Sequence, residues 1–150
     1  MQISSRFTIA VQVMTCIEVL KDDMPLNSET ISGSVGVNPV VIRNIFGMLK
    51  KAGMITVQRG GNGGVALAKS IDDITLLDVY RAVDSVENGE LFHFQENPNA
   101  NCPVGRNIHS VMDDRLDEIQ DAMEQKMASM KLSDVIEDTE SLVAKQKKLA

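Results

Sequence analysis

The clearest periodicity in the chain lies between Asn38 and Gly53. There Ile42, Ile45, Phe46 and Leu49 recur at i, i+3, i+4 and i+7, the buried stripe of an amphipathic helix. Asn38 suits the N-cap, Pro39 the first helical position, and Gly53 a left-handed helix end. The period then drops to two. Ile55-Thr56-Val57-Gln58 alternates apolar and polar, as a strand does. Gly60, Gly61, Gly63 and Gly64 make a tight turn, and Val65-Ala66-Leu67 follows as a second strand. A helix followed directly by a hairpin with an arginine at its tip predicts a winged helix. Its helix would fill a major groove, and its hairpin would reach the backbone or the adjacent minor groove.

The flanking pattern is mostly helical. Residues 5–20 read as a helix with Phe7, Ala10, Val11, Met14 and Ile17 on one face, capped by Ser4 or Ser5; Cys16 within it reads as a buried structural thiol. Asp22-Asp23-Met24-Pro25 interrupts the pattern. Asn27 or Ser28 then caps a short helix over 29–35, with Ile31 and Val35 inward, and Gly36 permits the turn into Asn38. Short helix, turn and longer helix have helix-turn-helix spacing, which a plain αα-hairpin shares; the wing behind it decides between them. Thr75 caps a further helix through Val79, Tyr80, Ala82 and Val83, which stops near Asp84. Asp78, at its third position, makes a weaker relative of a capping box. Residues 87–106 show little periodicity and read as a long loop of the kind that carries function.

From residue 107 to about 130 helical spacing returns, with Ile108, Met112, Leu116, Ile119, Met123, Met127 and Met130 on one stripe. A polar opposite face makes this a dimerisation helix, with packing on its own domain as the alternative. Ser133 is expected to cap a last helix over 134–149, contacting through Val135, Ile136, Leu142 and Val143, with residues 145–150 frayed. The predicted fold is mainly α with a small β-hairpin wing. Its divisions are a winged helix-turn-helix domain over 1–84, a sensing loop over 85–106, and a dimerisation helix with a C-terminal helix over 107–150.

Charge sharpens this division. The 150-residue chain carries a net −6, which by itself argues against nucleic acid. Residues 1–70, however, hold seven Lys or Arg and four acids, whereas residues 71–150 hold eight bases and seventeen acids. A basic half joined to an acidic half fits a DNA reader with an assembly or sensing region. No apolar run is long enough to span a membrane, and the N-terminus lacks a signal-peptide layout. With two cysteines and no disulfide framework, the expected compartment is the cytoplasm.

The candidate chemistry is recognition. Val40, Val41, Arg43 and Asn44 point outward at the start of the longer helix, where this docking mode touches base edges. Arg bridges guanine O6 and N7, Asn bridges adenine N6 and N7, and valine packs on a thymine methyl. Lys50 and Lys51 suit phosphates, which position but do not specify. Ser28, Asn38, Pro39 and, at the wing, Arg59, Gly60 and Asn62 complete the predicted DNA-binding set. The glycine turn joins strand to strand and lacks both phosphate-loop signatures, so nucleotide binding is not expected. No catalytic residue is assigned: a cysteine nucleophile needs a base within reach, and nothing sets His93 or His109 beside Cys102. No metal or cofactor is expected, since those three residues have no recognisable ligand spacing. Cys102 itself has two readings, an inert loop thiol or a redox switch. The second holds if the dimer helix begins near Pro103, because a helix N-terminus favours thiolate.

Several segments carry a family resemblance: Asn38-Pro39-Val40-Val41-Ile42-Arg43, Leu49-Lys50-Lys51-Ala52-Gly53, Arg59-Gly60-Gly61-Asn62-Gly63-Gly64, Leu77-Asp78-Val79-Tyr80-Arg81-Ala82-Val83, Asn101-Cys102-Pro103-Val104-Gly105 and Leu132-Ser133-Asp134-Val135. The chain resembles the Rrf-two family of bacterial winged helix-turn-helix regulators, the IscR, NsrR and CymR group, and within it the YwnA-like branch. The resemblance implies a homodimer whose long helices cross and whose recognition helices address an imperfect palindrome on double-stranded DNA, as a repressor. Cluster-binding members hold iron–sulfur with three cysteines in the loop before the dimer helix; this loop has Cys102 alone, which departs from that pattern. The alternative is a protein–protein adaptor for a metabolic enzyme, because the family includes members regulated in that way. The inducing signal is then a regulatory protein or a small molecule.

Overall fold

The computed structural model describes residues 4–60, 63–83, 85 and 87–149. In chain order the elements are α1 (Arg6–Val19), α2 (Ser28–Val35), α3 (Pro39–Lys51), β1 (Ile55–Val57), β2 (Val65–Leu67), α4 (Leu76–Ala82), α5 (Ile108–Ala128) and α6 (Leu132–Leu149), with short 3-10 turns at Ile71–Asp73 and Glu87–Gly89. The strands pair antiparallel with Ile55 opposite Leu67, Thr56 opposite Ala66 and Val57 opposite Val65. The architecture is the winged helix-turn-helix that the period changes predict.

α1 is the hub. It packs against α2, α3, α4, α6 and β2, so it is enclosed on most of its circumference: Ala10 and the whole run Val13 to Ile17 are buried. The expected single face is therefore too narrow. Phe7 and Val11 are only half-buried, whereas Val13 is in the core. Cys16 is a buried thiol, with Sγ 3.3 Å from Ser34 Oγ on α2. Ser5 occupies the N-cap without a side-chain bond, and Ser4 Oγ accepts from the Arg6 N–H instead.

α4 begins with a reciprocal capping box rather than a weak relative of one. The Asp78 N–H donates to Thr75 Oγ1 at 3.1 Å and the Thr75 N–H to Asp78 Oδ2 at 2.9 Å. The helix ends at Ala82 with Val83 as its C-cap, one residue short of the expected run through Val83; Asp84 itself lies outside the described residues.

α5 is about 30 Å long at 1.5 Å per residue, and none of its residues is buried. Met130 falls beyond its end and is exposed. α6 begins two residues earlier than expected, at Leu132. Ser133 is not its cap but a buried residue of the first turn, and the Lys131 N–H donates to Asp134 Oδ2 at 3.0 Å. Leu132 and Ile136 enter the same core as α1, while Leu142 stays exposed and the helix runs unbroken to Leu149 instead of fraying at 145. An isolated bridge between Thr75 and Lys131, with the Leu132 N–H on the Ile74 carbonyl at 2.8 Å, stitches α6 to the start of α4.

Candidate nucleic-acid interface

The recognition unit is set by its caps and its core contacts. Asn27 Oδ1 accepts from the N–H groups of Glu29 and Thr30, and Thr30 returns the bond to the Asn27 N–H. Gly36, at φ 78°, supplies the left-handed turn that other residues rarely adopt. Asn38 Oδ1 accepts from the Val40 N–H at 2.8 Å, and Pro39 takes the first helical position, as expected. Ile42, Ile45, Phe46 and Leu49 are all buried, which fixes the rotation of α3 and leaves Val40, Arg43, Asn44, Lys50 and Lys51 exposed. Val41 is half-buried rather than fully outward.

Arg43 is held by one nitrogen of its guanidinium. Its Nη1 donates to Ser28 Oγ and to Glu29 Oε1, both at 3.3 Å. Beside it runs an open groove of about 530 Å³ lined by Arg6, Val41, Arg43, Asn44, Met48 and Lys51. The groove gathers three cations, Arg43 and Lys51 from α3 and Arg6 from α1. Arg6 belongs to this surface although the sequence reading left it out, because only the fold brings the start of α1 beside α3. Its one sequence signal is a basic residue in a helix first turn, where the dipole would favour an acid.

At the wing, the Gln58 N–H donates to the Gly64 carbonyl at 2.9 Å, and the Val65 N–H ties the hairpin to the Leu26 carbonyl at 3.1 Å. Arg59 and Gly60 are exposed at the hairpin end. Gly61 and Asn62 lie outside the described residues. Gly63 has a tight geometric requirement: a Cβ there would sit 2.2 Å from the Gln58 oxygen.

The loop before α5 is tied down at two points. Gln120 accepts from the Leu91 N–H at 2.9 Å and donates to the Gly89 carbonyl at 2.7 Å. His109 spans Asp113 Oδ1 and the Gln95 carbonyl, each at 3.0 Å, with the Phe94 ring tilted 48° against it at 4.3 Å. Both partners are acceptors, so the full tie needs the imidazolium, and the ring's pKa is raised by Asp113 first and Gln95 second. Cys102 is half-buried in the turn before α5. Because α5 starts only at Ile108, this thiol is not at a helix N-terminus, contrary to the condition on which the switch reading leaned. Its pKa is nevertheless lowered, by the backbone N–H of Gly105 and then that of Val104.

Along α5, Ile108, Met112, Leu116, Met123 and Met127 are half-buried, while Ile119 and Val111 are 50% and 49% exposed. α4 covers one side, where Arg81 Nη2 meets Glu124 Oε2 at 3.5 Å.

A family model described as "Rrf2: Iron-dependent Transcriptional regulator" matches residues 3–138. The chain is 43% identical over 134 residues to YwnA of Bacillus subtilis (strain 168), a candidate HTH-type transcriptional regulator, covering 89% of this chain and 96% of that one. Among solved structures, a candidate DNA-binding protein shares 39% identity with a TM-score of 0.68, over 88% of this chain and 99% of that one. T. potens IscR shares 22% identity with a TM-score of 0.68, over 95% and 90%, which speaks for the fold alone. The iron in the family's description meets a poor donor set here. A protein-held cluster needs about four ligands, mostly thiolates. Cys16 is buried in α1 against Ser34 and Cys102 lies alone in its loop, and among the described residues no three His, Cys, Asp or Glu converge.

Proposed function

The chain belongs to the Rrf2 family of winged helix-turn-helix transcriptional regulators, which are not enzymes, and on that premise we propose that it is a homodimeric repressor. It would read an imperfect palindrome in double-stranded DNA and block a promoter. The observation that carries this reading is the N-terminal half of α3: Val40, Arg43 and Asn44, within its first two turns, stand exposed on a helix whose other face is locked into the core. Placed in a major groove, that half offers a guanine reader, an adenine reader and an apolar contact for thymine. Lys50 and Lys51, and Arg59 on the wing, meet phosphates; Ser28, Asn38, Pro39, Gly60 and Asn62 complete the contact surface. The α5 stripe joins two such units, and the protein works in the cytoplasm, where its DNA is; no helix among the described residues is long and apolar enough to cross a membrane.

The contacts are separable by mutation. Arg43→Ala is expected to cost about 1–3 kcal/mol and relax specificity at one base pair, whereas Lys50→Ala weakens all sequences alike and lowers the salt slope by about 1. Gel shifts with the protein's own upstream region and a scrambled duplex, at several salt concentrations, test this. Equal losses on both duplexes for Arg43→Ala would overturn the base-contact assignment.

Cys102 is the candidate signal receiver within this reading. The lowered thiol pKa favours the thiolate that oxidants attack, and the turn it occupies leads into α5. Oxidation would then shift the helix that spaces the two reading heads. Mild peroxide is expected to reduce the DNA affinity of the wild type and leave Cys102→Ser unaffected. An equal response from both proteins moves the signal to a small molecule or a partner protein, such as a metabolic enzyme docking on the acidic half.

A further inference from the structure

Arg43 and Glu29 meet on the DNA-facing side of the molecule, and the way they meet is selective. Both bonds held by Arg43, to Ser28 Oγ and Glu29 Oε1, use Nη1. Among the described residues no bond is made by its Nη2 or Nε. A guanidinium has two edges that can grip a pair of adjacent acceptors, Nη1 with Nη2 and Nε with Nη2. Occupying Nη1 leaves the second edge as the intact fork. Guanine presents such a pair of acceptors, O6 and N7, in the major groove.

We infer that Glu29, with Ser28, is a positioning residue for base readout, holding Nη1 of Arg43 so that the Nε–Nη2 edge is presented to a guanine. The inference rests on α3 being the base-contacting helix. The clamp is built into the recognition unit itself: the Asn27–Thr30 capping box fixes the first turn of α2, from which Ser28 and Glu29 reach Arg43 in the second turn of α3. The carboxylate also competes with phosphate for the guanidinium, so Arg43 is discouraged from swinging to the DNA backbone, where it would carry no sequence information. An acid in a helix first turn already interacts well with the helix dipole. That role alone predicts nothing about which base is read, and this separates the two roles experimentally.

The test uses the full chain and duplexes from its upstream region carrying single base-pair changes. Affinities are measured for the wild type, Glu29→Gln, Arg43→Ala and the double variant. Glu29 is bound into the cap through its backbone N–H, and its side chain is 69% exposed, so the substitution leaves the fold intact. Arg43→Ala is expected to relax preference at one G·C pair. Glu29→Gln should relax the same pair by about tenfold, within what one bidentate contact supplies, and the double variant should relax it no further than Arg43→Ala. If Arg43→Ala relaxes a pair and Glu29→Gln leaves that pair untouched, Glu29 does not position Arg43. If Glu29→Gln relaxes a different pair, Glu29 reads a base itself, and the inference is again overturned. If Arg43→Ala weakens every duplex equally, the base-contact reading of α3 fails, and this inference fails with it.

Discussion

An aspartate in place of Ile119 is expected to split the proposed homodimer and lower operator affinity by about 10²–10⁴-fold, the gain that linking two binding modules supplies. α5 has no buried face of its own. It is 21 residues long and buries none of them within the protomer, yet Ile108, Met112, Leu116, Ile119, Met123 and Met127 form a continuous stripe on it. Ile119 is half exposed and outside the protomer core, so its replacement leaves the winged unit folded. In a helix-to-helix seam it would be buried twice, once from each subunit. A carboxylate there is desolvated against apolar neighbours and against its own symmetry mate, which drives the helices apart. Light scattering and operator affinity measured on one sample test both halves of the claim. A variant that stays dimeric and binds with full affinity would place the seam elsewhere.

Leu132→Ala is expected to destabilise the fold by about 2–5 kcal/mol, the range for truncating a fully buried leucine. For a chain of this size that corresponds to a fall in Tm of roughly 4–20 °C, at about 2–4 °C per kcal/mol. Leu132 is completely inaccessible and opens α6 at the stitch to Ile74 and Thr75. Thermal unfolding therefore reports whether α6 is part of the winged core or an appendage to α5. Were α6 an appendage, the melting temperature of this variant would stay within a degree or two of the wild type.

How legible each element was depends on how many sides of it are buried. α3 and the hairpin were readable because one face of each is in the core and the other is polar; Ile42 to Leu49 and Ile55 to Gln58 record that contrast directly. α1 was only half readable. It is enclosed from several directions, so Val13 to Ile17 are all buried and no stripe separates inside from outside. The start of α6 was misplaced because Ser133 has the composition of a cap, whereas the bridge between Thr75 and Lys131, a contact remote in sequence, sets the boundary. The same limit applies to the candidate interface. Arg43, Asn44 and Lys51 follow from helical periodicity, but Arg6 joins them only through the packing of α1 on α3, and the Glu29–Arg43 pair only through the turn between α2 and α3. Cys102 shows the converse case. A lowered pKa belongs to only one of its two sequence readings, and there depends on a helix N-terminus; the cause is the local turn, through the backbone of Gly105 and then Val104.

The proposed function turns on this winged unit reading sequence through α3. Its most direct test is fluorescence anisotropy of the full-length protein on its own upstream duplex and on a scrambled duplex of equal composition, at about 0.15 M salt. A preference of at least about 10³-fold for the upstream duplex is expected, with the scrambled complex retaining a steep salt dependence from phosphate contacts alone. Equal affinities for the two duplexes across the salt series would contradict it.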